Sequence, residues 1–376
     1  MSRSRFPIKV VLIISDIDKA IGFEWITENI DRSKFDLTFI LLNSKPSYLA
    51  QYLRRIKVPC HELIFRGRSD MPISLWRVVN ILRKEKADVV HTHLFSANVI
   101  GHVAARILNI KKRIYTRHST NENRIYYNKQ WVDRVVNSLA TDIIAISENV
   151  KNVLIQEENV SPGKISLIHH GFDLERFITV PAEEIAELRA KYNPTNRSPA
   201  IGVVARYSHW KGIQYIVPAF KRVLQQYPNA LLLLANAKRG DFKDEIALLL
   251  SDLPEGSYHE IEFEHNLFAL YHLFDVYVHT PIDPELEAFG QTYVEALAAG
   301  IPSVFTNSGV APEFIKHEQN AIVVDFQNSE QIYHAVIRLL EDDKLCSRIS
   351  QNGQYDVRQM FSLEKMVSRF EELYSK

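Results

Sequence analysis

Short apolar runs alternate with longer helical patterns along most of the chain, and this alternation most restricts the fold. "KVVLIIS" (9–15), "LTFILLN" (37–43), "DVVHTH" (88–93), "RIYTR" (113–117) and "DIIAIS" (142–147) are apolar with few interruptions. Strands read this way when both of their faces are covered. The segments between them carry helical spacing. "ISLWRVVNILRKEKA" (73–87) sets Leu75, Val78, Val79 and Leu82 on one stripe and charges elsewhere. A strand–helix–strand succession of this kind predicts a doubly wound parallel sheet in an α/β fold.

The pattern breaks at 172–200, a charged stretch with three prolines that reads as a linker carrying a helix. It then restarts with "AIGVVA" (200–205), "ALLLLA" (230–235), "DVYVHT" (275–280), "IPSVFT" (301–306) and "AIVVD" (321–325). A length of 376 residues also exceeds what one core usually serves. The expectation is two Rossmann-like domains, 1–180 and 181–357, with a helix over about 358–376 packing back on the first. Two open α/β domains joined by a hinge predict a cleft, with ligands outside the carboxyl ends of the strands.

Bulk composition excludes several classes. Lys+Arg and Asp+Glu both number 45, so the strong basic excess of a nucleic-acid binder is missing. Two distant cysteines, Cys60 and Cys346, are too few for a disulfide scaffold and read as reduced thiols. The opening "MSRSRFPIKVVLIIS" imitates a signal peptide, but its apolar run is short and reads better as a buried strand. No stretch nears the roughly 18 apolar residues of a membrane span. The expected location is cytoplasmic.

The chemistry concentrates in the second block. In "PELEAFGQTYVEALAAG" (284–300), Glu287 and Glu295 stand on either side of a helix start, and Gly300 and Pro302 stop that helix. A helix start offers free N–H groups and a positive dipole end. Gly290 lets the backbone approach a phosphate closely. A phosphate there leaves the two carboxylates on different sides of it, each able to accept from vicinal hydroxyls. "VVARYSHWKG" (203–212) adds Arg206 and Lys211, two cations on a strand–helix loop, which suit a diphosphate.

"RYSHWKG", followed about 75 residues later by "EAFGQTYVEALAAGIPSVFT", resembles the signature of glycosyltransferase family 4. The resemblance covers most of the chain. "ISENVKNVLIQEENVSPGKISLIHHGFDLERF" (146–177) is similar to that family's approach to the hinge, where Asn-Gly more often stands in place of His170-Gly171. It implies a GT-B fold, two Rossmann-like domains facing a deep interdomain cleft, and a retaining, hexosyltransferase-type enzyme that uses a nucleotide-diphosphate sugar. It also implies roles. Arg206 and Lys211 bind the donor diphosphate and steady the leaving group. Glu287 contacts the donor sugar near the reacting carbon. Backbone N–H groups of Phe289, Gly290 and Gln291 hold sugar or phosphate oxygens, with Thr292 nearby, and Glu295 accepts from the ribose. No cofactor and no metal are implied.

The first half departs from the family pattern. A Gly-Gly loop usually follows the first strand, whereas this chain has "SDIDKAIGFEWITENI" (15–30), which keeps only Gly22 as a donor-side candidate. Asp16-Ile17-Asp18 spells a DxD motif that belongs to a different fold, so it reads as a turn, with Asp16 as an acceptor-side candidate. His118, in "RIYTRHST" (113–120), stands where the family places a histidine against the donor sugar, and Arg117 adds charge beside it. His93 is assigned to the acceptor side, since a metal site needs more ligands than "HTH" supplies. His169 and His170 form a weak pair suited equally to a hinge. Arg66, Arg68, Lys111, Lys112 and Arg113 suit a solvated face first, and an anionic acceptor or a membrane surface second.

The implied reaction moves the sugar to a hydroxyl of a glycan or lipid-linked acceptor, in bacterial surface polysaccharide or lipid-linked glycan synthesis. Domain closure would keep water out. Alternatives are another GT-B enzyme such as a sugar-nucleotide epimerase, a phosphorylase (for which no pyridoxal lysine is evident), and a non-catalytic nucleotide-sugar binder. A dinucleotide oxidoreductase lacks its Gly-x-Gly-x-x-Gly.

Overall fold

A computed structural model describes residues 7–120 and 130–376; the basic opening of the chain at 1–6 lies outside them. The chain divides into two compact units, Met1–Phe172 with Leu363–Lys376, and Asp173–Ser362.

The first unit holds a seven-stranded sheet of β1 (Ile8–Ser15), β2 (Phe35–Asn43), β3 (Cys60–Ile64), β4 (Val89–His93), β5 (Lys112–Arg117), β6 (Asp142–Ala145) and β7 (Ile165–Leu167). Their spatial order is 3-2-1-4-5-6-7, and every pairing is parallel. β1 is central and almost wholly buried, which is why its run of Val10 to Ile14 has no alternation. One face of the sheet packs Val11, Ile13 and Val90 on helices Met71–Glu85 and Phe95–Ile107. Helices Ile21–Asn29 and Leu363–Ser375 pack against each other, and the latter also meets β1. Tyr374 Oη and His91 Nδ1 are 2.7 Å apart there, both buried.

The second unit repeats the plan with β8 (Ala200–Val204), β9 (Leu231–Ala235), β10 (Tyr258–Ile261), β11 (Val276–His279), β12 (Ser303–Phe305) and β13 (Ile322–Val323), in the order 10-9-8-11-12-13. All these pairings are parallel too. Val203, Leu232, Val278 and Val304 pack with helices Ile213–Gln226 and Ser329–Glu341. Helix Gln291–Ala298 packs against Asp343–Met360. In each unit the strand order reverses at the centre, between β1 and β4 and between β8 and β11. That reversal opens the crevice where doubly wound sheets hold ligands.

The stretch read as a linker is structured. It folds as helices Glu175–Ile178 and Ala182–Tyr192 of the second unit.

Candidate active site

The loops after β8 and β11 meet at the switch point of the second unit. Gly212 makes this possible. It has φ +76°, and a Cβ on it would lie 1.9 Å from the Thr280 carbonyl oxygen. Ile282 N–H donates to the Trp210 carbonyl at 3.0 Å and ties the loops together. Lys211 thereby reaches Glu287, with Nζ 2.6 Å from Oε2. Both side chains are nearly withdrawn from solvent.

His279, the last residue of β11, completes this group. Its Nε2 lies 3.5 Å from the same Oε2, and its ring stands edge-on to Tyr293 at 4.7 Å. Burial works against ionisation of Glu287, but Lys211 and then His279 overcome it and hold the carboxyl at about 2. Burial also pushes the His279 imidazole below its ordinary range. The site therefore holds a carboxylate, an ammonium and a neutral imidazole.

Gly290, with φ +84°, turns the chain into helix Gln291–Ala298, and a Cβ on it would strike the Tyr293 ring at 2.5 Å. Among the described residues no acceptor receives the N–H groups of Gln291 and Thr292, the orphan donors of a helix start. The Phe289 side chain is buried edge-on to Phe361. Arg206 ends the β8 turn, exposed and without an ion pair among the described residues. Glu295 lies one turn into helix Gln291–Ala298 and is buried. Its Oε2 accepts from Tyr271 Oη at 2.8 Å, and burial pushes its carboxyl up to about 7 against that hydrogen bond. Cations, free N–H groups and hydroxyl acceptors here suit an anionic, polyhydroxylated ligand.

The first unit holds His118 at the end of β5, but not as a lone residue. His93 Nδ1 and His118 Nε2 are 3.0 Å apart, and His170 stacks on His118 with centroids 5.4 Å apart and planes 12° from parallel. Burial, then the neighbouring His91, holds His118 at about 4, and burial with His118 and His169 holds His170 at about 3. The three imidazoles form one neutral stack, which gives His170 a contact the hinge reading missed.

Arg117 is placed otherwise than expected. It is buried, paired with Asp133 at 3.1 Å and Glu158 at 2.9 Å, and it donates to the carbonyls of Ser119 and Thr120. Its charge is neutralised inside the unit, so it anchors the loop that carries His118 instead of facing an acceptor.

Asp16 has φ +54° and borders a cavity of about 240 Å³ with Ile17, Asp18, Asn43, Ser44 and Lys45. Asn43 exchanges two hydrogen bonds with the Ile17 backbone, and Asp18 accepts from Tyr48 N–H, so Ile17 and Asp18 support a turn. Gly22 lies inside helix Ile21–Asn29 with open space where a side chain would go. Among the described residues no group of His, Cys, Asp and Glu is arranged to hold a metal ion.

His279 and Tyr271 went unread in the sequence. The signal for His279 was its place at a strand end eight residues ahead of Glu287. Tyr271 offered none, since only the folded helix brings it to Glu295.

Two doubly wound parallel sheets, the second with this anion-suited switch point, are the plan of the GT-B fold. Solved structures share the fold: Anabaena HepE in complex with UDP-glucose superposes with a TM-score of 0.82 at 21% identity, over 97% of this chain and 99% of that one. Residues 26–176 match the model of Glycosyltransferase Family 4, and residues 184–356 match that of Glycosyl transferases group 1. The chain belongs to the family 4, group 1 glycosyltransferases. It is 25% identical to the UDP-Gal:alpha-D-GlcNAc-diphosphoundecaprenol alpha-1,3-galactosyltransferase of Escherichia coli, over 92% of this chain and 90% of that one. It is also 26% identical to a capsular polysaccharide biosynthesis glycosyltransferase of Staphylococcus aureus, over 80% of each.

Proposed function

We propose that the protein transfers a hexose, with retention, from a nucleotide-diphosphate sugar to a hydroxyl of a lipid-linked or polysaccharide acceptor on the cytoplasmic side of a membrane. The observation that carries this reading is the Lys211–Glu287 contact at 2.6 Å beside the open start of helix Gln291–Ala298. A diphosphate against Arg206, Lys211 and the N–H groups of Gln291 and Thr292 meets positive charge on each side. Glu287 then faces the sugar and Glu295 the ribose. The bond from the anomeric carbon to the β-phosphate oxygen breaks, and a bond from that carbon to the acceptor oxygen forms. The proton of the acceptor hydroxyl passes to the departing phosphate. Charge developing on the diphosphate is where fixed cations and helix dipoles act most strongly.

UDP is the favoured nucleotide, because HepE is solved with UDP-glucose and the Escherichia coli relative is named for UDP-Gal. The names of the bacterial relatives support a lipid-linked or polysaccharide acceptor. The acceptor is assigned to the first unit, where Asp16, Asp18 and Lys45 border a cavity.

The test is calorimetric titration with UDP, GDP and ADP, followed by transfer from the matching sugar nucleotides to a polyprenyl-diphosphate-linked amino sugar. UDP binding that is lost in Lys211→Ala, and a product with the donor's anomeric configuration by NMR, are expected. Inversion, or turnover that is independent of Lys211, overturns the reading.

A further inference from the structure

Helix Gln291–Ala298 is buried from Tyr293 to Ala298, and Glu295 is the one carboxyl in that run. Sealing a carboxyl among such neighbours is costly, which is why burial raises this one to about 7. A leucine would serve the packing better, so the carboxyl asks for a use. Its two oxygens are not equivalent. Oε2 accepts from Tyr271 Oη at 2.8 Å. Among the described residues Oε1 makes no hydrogen bond, and it is not sealed from solvent.

A glutamate carboxylate turns easily about its last bond and can offer either oxygen. Here the phenol holds one oxygen and leaves the other open. Tyr271 itself has little room to move. It ends helix Leu267–Tyr271, whose start is capped by Asn266, with Oδ1 accepting from Ala269 N–H at 3.1 Å. Its ring is fully buried, with the rings of Tyr277, Phe274 and Phe177 edge-on at 5.5, 5.8 and 6.1 Å. Burial holds the phenol well above its ordinary range, so it stays a donor. All these residues belong to the Asp173–Ser362 unit.

We propose that Tyr271 is a positioning residue for the nucleotide: it fixes the Glu295 carboxylate so that Oε1 accepts from a ribose hydroxyl. This role rests on the assignment of the ribose to Glu295 and adds the residue that sets the contact. An acceptor held in place beforehand gives up little freedom when the ribose arrives. A ligand without the hydroxyl leaves a largely buried acceptor unpaired and is rejected for it. Tyr271 thereby sharpens the choice of ribose over a deoxy sugar without touching the ligand.

The test is calorimetric titration of the full chain with UDP and with 2′,3′-dideoxy-UDP at pH 8, above the value to which burial holds Glu295. The wild type is expected to bind UDP about thirtyfold more tightly than the dideoxy analogue, in line with one hydrogen bond to a charged group. Tyr271→Phe keeps the ring and its packing. It binds the analogue as the wild type does and narrows the preference to about threefold. Glu295→Ala abolishes the preference, and adding Tyr271→Phe to it changes the preference no further. A preference lost in Glu295→Ala but kept in Tyr271→Phe overturns the role of Tyr271 alone. So does an equal loss of both ligands in Tyr271→Phe, the mark of a bond that serves only the fold. A wild type that binds both ligands equally, or a Glu295→Ala variant that keeps the preference, overturns the ribose assignment and the role of Tyr271 together.

Discussion

Lys211 and Glu287, 76 positions apart in sequence, meet at 2.6 Å because β8 and β11 are neighbours in the sheet. Each loop is only half a site: the β8 loop brings the cation, and the β11 loop brings the carboxylate that fixes it.

Removing the cation should therefore be worse for the fold than removing the charge on its partner. Lys211→Met takes the ammonium away from a buried carboxylate that then keeps the His279 imidazole at 3.5 Å, and should cost about 3 kcal/mol at neutral pH. Glu287→Gln should cost less, because the ammonium retains some access to water. Urea unfolding of the two variants checks the order. Equal losses would mean that the pair is not what holds Glu287 ionised.

Glu295 predicts the opposite sign. Its folded pKa, about 7, lies above its ordinary 4.5. The native state thus binds the proton more tightly, and stability falls as pH rises through that window. Glu295→Gln, which still accepts from Tyr271, should raise stability near pH 8 by about 2 kcal/mol and change little near pH 5. UDP affinity should fall in the same variant. Melting curves at both pH values, with titration of UDP, test the two halves separately.

The imidazole stack predicts an acid limit for the first unit. His118 and His170 are held at about 4 and about 3, below the ordinary 6.5. Their contribution is present above about pH 6.5 and lost as pH falls towards 4. Protection factors of the amides on β4 and β5, taken against the intrinsic exchange rate at each pH, should fall between about pH 7 and pH 5, with more than one proton taken up. Protection that is unchanged over that range would mean the rings are solvated.

Two glycines should behave differently. Gly212→Ala adds a carbon 1.9 Å from the Thr280 carbonyl oxygen at φ +76°. It should cost at least about 2 kcal/mol and weaken UDP binding. Gly22→Ala meets open space in a helix, and should leave stability unchanged or raise it by about 0.5 kcal/mol. Denaturant midpoints for both variants decide this. A loss at Gly22 would mean that a side chain there does not meet open space.

The buried strands were legible because burial on both faces writes an unbroken apolar run. β3, β7 and β10 were not: they lie at sheet edges, and "CHELI", "ISL" and "YHEI" are short, partly exposed and mixed in character. Lys211 and Glu287, which the structure brings together, could be singled out because they sit on two short loops with fixed spacing. Arg117 was misread because strand parity was not applied: Thr116 and His118 share one face of β5, and Arg117 turns to the other. The partners of His118 depend on how β4 and β5 align, with His93 opposite Thr116, which no local pattern reveals.

Helix Leu363–Ser375 belongs to the first unit and joins His91 through Tyr374. This sets a timetable for synthesis. On a ribosome the Asp173–Ser362 unit is fully translated and can close first, while the earlier-made unit still lacks the helix whose Phe370 and Tyr374 rings cover Phe35 and His91. The usual order of domain maturation is thereby reversed. Residues 1–172 released alone would present that vacant seam to chaperones and proteases.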